Sequence, residues 1–160
     1  MAIDRQFLRN ANLFPSVKIA LEKFLNKYDV IQESAQYRQG AAVAKTVTTT
    51  LTVAEIIPPT GGLLTANPGG AAAASYTLPL GSAIETALVA VNPDLAVGDT
   101  FDFAIVNIST NAAEIVTVVT NTGLTLVGDL TVAPLIAGDQ SSGTFAVRRT
   151  AAGTYSVYRK

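Results

Sequence analysis

Two acidic residues, Asp99 and Asp102, have a spacing that raises the possibility of acid–base chemistry, because paired carboxylates carry out glycoside hydrolysis. Asp99 follows Gly98 in a turn signal, where an aspartate typically accepts hydrogen bonds from backbone amides. Asp102 alternates with Phe101 and Phe103, so its side chain points away from the core if the two aromatic residues are buried. We therefore expect a turn role for Asp99 and a surface role for Asp102, not catalysis.

The residue types needed for most other site chemistry are missing from the chain. It has no histidine and no cysteine, which removes the commonest general base, thiolate nucleophiles and the usual zinc ligands. The pairs Gly61-Gly62 and Gly69-Gly70 are not followed by the residues of a phosphate-binding loop, and no D-x-D-x-D-G calcium loop or G-x-S-x-G elbow occurs. We expect no catalytic residue, no cofactor and no metal site, and we predict that the protein is not an enzyme.

Charge is segregated along the chain. Residues 46–147 contain eight acidic residues and no lysine or arginine, whereas residues 1–40 contain six cations and four acids. Cations return near the C-terminus at Arg148, Arg149, Arg159 and Lys160. The net charge of −1 does not favour nucleic-acid binding. The pattern fits either a surface that negative charge keeps soluble, or a subunit whose basic ends face an assembly and whose acidic middle faces solvent.

Two stretches bear on targeting. The N-terminal MAIDRQFLRNANLFP lacks the apolar segment of a signal peptide. The most apolar long stretch, 71–93, contains Pro79, Glu85 and few large side chains, so it does not read as a membrane span. We expect no membrane partner, and an origin in the cytoplasm or assembly in a host cytoplasm.

The first forty residues have helical periodicity. In the segment 13–28, apolar residues recur at spacings of four, three and four, which places them on one stripe of a helix. Pro15 suits the first turn of that helix. The stripe packs either on its own domain or on a partner, and we predict partner binding through an anchor helix that presents Val17, Leu21, Phe24 and Tyr28.

From residue 41 onward the pattern is that of β structure. β-Branched residues dominate 41–57, which predicts strand, and the Pro-, Gly- and Ala-rich stretch 58–74 predicts a loop or connector. After residue 75, short alternating runs separated by turn signals predict strands, with a short helix within 81–95 that ends near Asn92-Pro93. The predicted organisation is a helical arm (1–40), a strand and connector (41–74) and a β domain (75–160).

The predicted fold is mainly β: an antiparallel β-sandwich or jelly roll with an N-terminal α-helical arm. Alternation along the strands assigns the core to Phe101, Phe103, Ile105, Val116, Val118, Leu124, Leu126, Phe145, Val147, Tyr155 and Val157. Many of the remaining strand positions are threonine, so we expect subunit contacts to use uncharged strand faces.

The C-terminal stretch SSGTFAVRRTAAGTYSVYRK (141–160) predicts a hairpin. Thr150-Ala151-Ala152-Gly153 suits a type I turn with Gly153 in the left-handed conformation. Alternation places Arg149 on the face of Phe145 and Val147, and Arg148 on the opposite face. Since no catalytic group accompanies these arginines, we predict that Arg148 and Arg149 frame the sheet and contribute to a subunit interface.

The segments GDTFDFAIVNIST, TGLTLVGDLTVA, SSGTFAVRR and AGTYSVYR together resemble a β-domain common in virion proteins of tailed bacteriophages. The resemblance covers roughly residues 75–160. It implies a non-enzymatic, commonly trimeric sandwich or jelly-roll module, located in a virion and bound to the major capsid protein or another virion protein. The length and the helical arm are similar to those of a capsid decoration (cement) protein, which binds and stabilises the capsid surface.

Two alternatives stay open at this stage. A short head or tail fibre, or an adaptor that anchors a fibre, would use the same arm to insert into a larger machine. A glycan-binding β-module would need exposed aromatic side chains, and in the β region the candidates are Tyr76, Tyr155 and Tyr158.

Overall fold

The computed structural model describes residues 41–58, 61–70, 72–136 and 140–160. These residues form two mixed β-sheets and two helices. The helices are α1 (Val53–Ile56) and α2 (Gly81–Val91), and the strands are β1 (Val43–Lys45), β2 (Thr49–Thr50), β3 (Leu63–Ala66), β4 (Ala74–Thr77), β5 (Thr100–Asn107), β6 (Val116–Val119), β7 (Leu124–Val127), β8 (Thr131–Val132), β9 (Ser142–Ala151) and β10 (Thr154–Arg159). The prediction of a mainly β protein is confirmed.

The first eight strands alternate between the two sheets. Among these eight, the odd-numbered strands belong to a six-stranded sheet with the order β1-β3-β5-β9-β10-β7, and the even-numbered strands form a four-stranded sheet with the order β2-β4-β6-β8. Because the chain crosses to the opposite sheet after each strand, β1, β3 and β5 run parallel, as do β2, β4 and β6. The C-terminal hairpin β9–β10 is inserted between β5 and β7.

This winding corrects the antiparallel part of the fold prediction. Of the eight strand pairings in the described residues, β5–β9, β9–β10 and β6–β8 are antiparallel, and the other five are parallel. A turn signal such as Asn121-Thr122-Gly123 shows that the chain reverses, but the same residues serve a hairpin within one sheet or an arch to the other sheet. The sequence pattern therefore predicts where the strands lie, but it does not predict which strands pair with each other.

Two local predictions are also corrected, and one is confirmed. Within 41–57, the segment Val53–Ile56 is a helical turn, where Glu55 accepts a hydrogen bond from the Thr52 amide at 2.8 Å. Within 58–74, predicted to be a loop or connector, Leu63–Ala66 forms β3 between β1 and β5, with Leu64 and Ala66 fully buried. The predicted helix is present as α2, which ends at Val91 with Asn92 as its C-cap, before Pro93.

The core lies between the sheets and matches the predicted alternation. Eight of the eleven predicted core residues are buried, and the other three, Phe101, Leu124 and Leu126, are partly buried against that core. At its centre the rings of Phe103 and Phe145 stack with centroids 5.1 Å apart. Burial of each large apolar side chain stabilises the fold by about 1.5–3 kcal/mol.

Three glycines fix where α2 sits. The backbone at Gly81, which begins the helix, approaches the β6–β7 turn at Gly123 and the β9–β10 turn at Gly153. A Cβ atom added at Gly81 would lie 2.3 Å from the Gly153 carbonyl oxygen and 2.9 Å from that of Gly123. Gly153 has a φ of 66°, which confirms the predicted left-handed turn residue. This close junction brings the first turns of α2 over the paired ends of β9 and β10.

Candidate subunit interface

Strand β9 places its two consecutive arginines on opposite faces of the six-stranded sheet. Arg149 is in register with the buried Tyr155 of β10, whereas Arg148 is in register with Ser156 of β10 and Thr100 of β5. Arg149 therefore projects toward the layer that contains the core and α2, and Arg148 projects outward. The face assignment made from the sequence is confirmed for both residues.

On the inner side, Arg149 forms a paired contact with Glu85 of α2. The Arg149 Nη2 and Nε atoms donate to the two Glu85 carboxylate oxygens at 2.6 and 3.1 Å. The Tyr155 hydroxyl donates a short hydrogen bond to Glu85 Oε2. The side chains of Arg149 and Glu85 are only 13% and 17% exposed, so this network is shielded from most solvent.

The network changes the titration of its members. Hydrogen bonds from Arg149 and then Tyr155 lower the pKa of Glu85 from 4.5 to about 2. Burial, with a further contribution from the hydrogen bond to Glu85, raises the pKa of Tyr155. The carboxylate is thus held charged and the phenol neutral across the pH range in which most proteins function, which suits a permanent structural link.

Arg149 also holds the segment that connects α2 to β5. Its Nη1 atom donates to the Leu95 carbonyl at 3.1 Å. Its backbone amide and carbonyl bond the Asp99 carbonyl and the Gly98 amide, each at 2.9 Å. Arg149 therefore connects α2, the loop before β5 and the paired strands β9 and β10 through hydrogen bonds. We call Arg149, Glu85 and Tyr155 the inner clamp.

Arg148 lies on a surface that we call the outer face of the six-stranded sheet. The strand registers define it as Ala44, Leu63, Thr65, Thr100, Asp102, Ala104, Val106, Thr125, Val127, Ser142, Thr144, Ala146, Arg148, Ser156 and Tyr158. Only Arg148 and Asp102 are charged, and Asp102 pairs with Lys160. Arg148 is exposed and forms no ion pair with a residue that the structure describes.

The outer face of the four-stranded sheet carries no charge within its strands. Its members are Thr50, Ser75, Thr77, Thr117, Val119 and Thr131. They are short, β-branched or hydroxyl-bearing side chains, in keeping with the expectation that the strand faces are uncharged. Both sheets therefore present surfaces unlike the usual charged exterior of a soluble protein.

The acidic residues considered for chemistry have structural partners. Asp99 accepts a hydrogen bond from the Ala96 amide at 2.9 Å, and Asp129 accepts one from the Thr131 amide at 2.9 Å. The backbone bond from Thr131 also lowers the pKa of Asp129. Asp102 is exposed beside Lys160. The predicted turn role of Asp99 and the predicted surface position of Asp102 are confirmed, and Asp129 occupies a turn in the same way as Asp99.

A buried polar cluster closes the far end of β5. The Asn107 side-chain nitrogen Nδ2 donates to the Glu114 carbonyl at 2.7 Å, and its side-chain oxygen accepts from the Ser109 backbone amide at 3.1 Å. The Ser109 hydroxyl donates to the Glu114 carboxylate at 2.5 Å. All three residues are buried. Their hydrogen bonds connect the loop after β5 to the start of β6, so the cluster stabilises this loop.

The remaining predicted site residues are the anchor-helix residues and the three tyrosines. Val17, Leu21, Phe24 and Tyr28 of the anchor helix lie outside the described residues. Of the three tyrosines considered for glycan stacking, Tyr76 and Tyr155 are buried and Tyr158 is partly exposed. Burial raises the pKa of Tyr76 to about 12.

Among the described residues, no group of three or more His, Cys, Asp or Glu side chains is arranged to hold a metal ion. In the same part of the chain, no helix is long and apolar enough to cross a membrane. No protein-family model, no curated protein and no solved structure matches the chain.

Sequence reasoning missed Glu85 as the partner of Arg149. The two residues are 64 positions apart, and no local spacing links them. One signal was available: Glu85 is the only charged residue in the segment 71–93. A single carboxylate on an otherwise uncharged helix that covers a core is expected to have a cationic partner.

Proposed function

We propose that this chain is a non-enzymatic structural protein of a tailed-bacteriophage virion, a decoration (cement) protein that binds and stabilises the capsid. The proposal rests mainly on one observation: the outer faces of both sheets carry almost no charge. Surfaces with few charges lose little solvation when another protein covers them. The resemblance of residues 75–160 to virion β-domains supplies the class of assembly.

In this proposal the module is a homo-oligomer, with a trimer implied by the resemblance, on the capsid surface. Residues 1–40 form the helical arm, which anchors the module by burying Val17, Leu21, Phe24 and Tyr28 against the major capsid protein or another virion protein. Several weak anchors on one oligomer bind far more tightly than one anchor, because each bound arm raises the effective concentration of the next. The proposal does not depend on jelly-roll connectivity.

The experiment is to add purified protein to particles that lack it and to measure occupancy by co-sedimentation. We expect the full chain to bind in hundreds of copies per particle, and a chain without residues 1–40 to remain folded but unbound. A matched control replaces Lys18, on the polar side of the predicted helix, with alanine and should bind normally. Normal occupancy by the truncated chain would disprove the anchor assignment, and a handful of copies per particle would favour the fibre or adaptor.

A glycan-binding module is a weaker candidate. Carbohydrate binding uses exposed aromatic faces, and two of the three tyrosines proposed for it are buried. A glycan array with the purified protein distinguishes the two functions, since the structural proposal expects no binding. Turnover of glycans, peptides or esters in a sensitive screen would likewise contradict the non-enzymatic proposal.

A further inference from the structure

We propose that the outer face of the six-stranded sheet is covered by a second copy of this chain. The inference rests on the proposed function in one respect, namely that the protein works as a homo-oligomer. It goes further by assigning the contact to one of the two sheet faces and by naming the same chain as the occupant. Three observations carry it: the charges on the face, its side chains and its size.

The charges on this face favour burial against a copy of itself. Arg148 and Asp102 are the charged residues among its strand positions, and the Asp102–Lys160 ion pair neutralises one of them. One exposed cation, Arg148, is then left without an ion pair among the described residues. A second copy packed face to face supplies its own Asp102 carboxylate as a partner for Arg148, because Asp102 stays 44% exposed in its pair with Lys160.

The side chains of this face suit close packing. Ala104 and Ala146 lie near its centre, where Ala104 is in register with Leu63 and Thr144, and Ala146 with Asp102 and Tyr158. Short side chains let two sheets approach to about 10 Å, and β-branched residues lose little rotamer freedom when they are covered. Arg148 is the one long flexible charged side chain at its strand positions, so the entropic cost of ordering the face is small.

The size of the face distinguishes it from the other outer face. Six strands at about 4.8 Å spacing make it roughly 29 Å wide. With central strands of eight and ten residues and edge strands of three and four, its area is on the order of 500–600 Å². A stable interface buries about 800 Å² per partner, so this face and its rim supply most of one. The four-stranded face, with two strands of two residues and two of four, covers only about 190 Å².

The test uses the fact that the full chain has no cysteine. Thr144→Cys places one thiol on the six-stranded outer face, and Thr117→Cys places one on the four-stranded outer face as the matched control. Labelling by a maleimide is followed over a dilution series. In one copy alone Thr144 is the more exposed of the two. We expect it to label at least tenfold more slowly than Thr117→Cys at high concentration, and faster than Thr117→Cys after dilution.

A second pair of variants, Thr144→Arg and Thr117→Arg, is compared by sedimentation and thermal melting. We expect Thr144→Arg to melt like the wild type but to sediment as a monomer, while Thr117→Arg keeps the oligomer. Protection of Thr144→Cys that does not depend on concentration, or an oligomer that survives Thr144→Arg, would overturn the proposal. These results are separate from particle binding: a monomeric wild type that still decorates particles refutes this contact alone, and an oligomer without particle binding refutes the decoration role alone.

Discussion

Arg149 and Arg148 are neighbours in the chain, yet the inner and outer sides of the six-stranded sheet use them in different ways. On the inner side, Glu85 and the Leu95 carbonyl accept three hydrogen bonds from the Arg149 guanidinium, and the Tyr155 hydroxyl donates to Glu85. The outer side leaves Arg148 exposed among short uncharged side chains. The comparison shows that the inner contacts of the sheet hold the fold together, whereas Arg148 on the outer face has no ion pair among the described residues.

Removal of the inner arginine should have the largest effect. Arg149→Ala leaves the shielded Glu85 carboxylate without its cation and releases the Leu95 loop. We expect the melting temperature to fall by on the order of 10 °C. Differential scanning calorimetry of Arg149→Ala beside Arg148→Ala tests the comparison directly. Equal melting temperatures for the two variants would show that the clamp does not support the fold.

The glycine junction that positions the clamp comes next. Gly81→Ala places a methyl group 2.3 Å from the Gly153 carbonyl oxygen, so α2 or the β9–β10 turn must shift. We expect a loss of about 2–3 kcal/mol of unfolding free energy in urea titration. Ser82→Ala, at the exposed next position, is the matched control and should stay within about 0.5 kcal/mol of the wild type. A Gly81→Ala variant as stable as this control would contradict the close approach.

The sequence predicted which residues are buried in the core better than it predicted how the strands pair. Alternation identified Phe103, Phe145 and Tyr155 as core, because period-two burial leaves a local trace. Strand β3 was missed, since its four residues lie within a Pro- and Gly-rich stretch that reads as a connector. The pairing of β5 with β3 and β9, and of Glu85 with Arg149, joins distant parts of the chain, and local patterns do not identify the partner in such contacts.

Acid should weaken the inner clamp selectively. The pKa of Glu85 is depressed in the folded protein, to about 2 from an ordinary value of 4.5, so its contribution to stability is present above pH 4.5. That contribution is lost as the pH falls from 4.5 toward 2. We expect the difference in melting temperature between the wild type and Glu85→Gln to be largest above pH 5 and to shrink over this window.

Asp102→Asn is the control for the acid experiment, because it removes a carboxylate from an exposed ion pair of the outer face. Exposed pairs contribute little, so its melting temperature should remain close to that of the wild type at each pH. A pH-independent difference between Glu85→Gln and the wild type would show that the charge of Glu85 does not stabilise the fold.

Replacement of the outer arginine should have the smallest effect on stability and a visible effect on association. Arg148→Ala removes an exposed side chain, so we expect the free energy of unfolding to change by no more than about 0.5 kcal/mol. If Arg148 meets carboxylates of a second copy, sedimentation equilibrium should show a several-fold weaker self-association and a smaller dependence on salt. Because Arg148 lies beside Gly98 in the last row of the outer face, next to its boundary, its loss should weaken the contact without abolishing it. Unchanged association and salt dependence would assign Arg148 to solvent and leave the neutral side chains of the face to carry the contact.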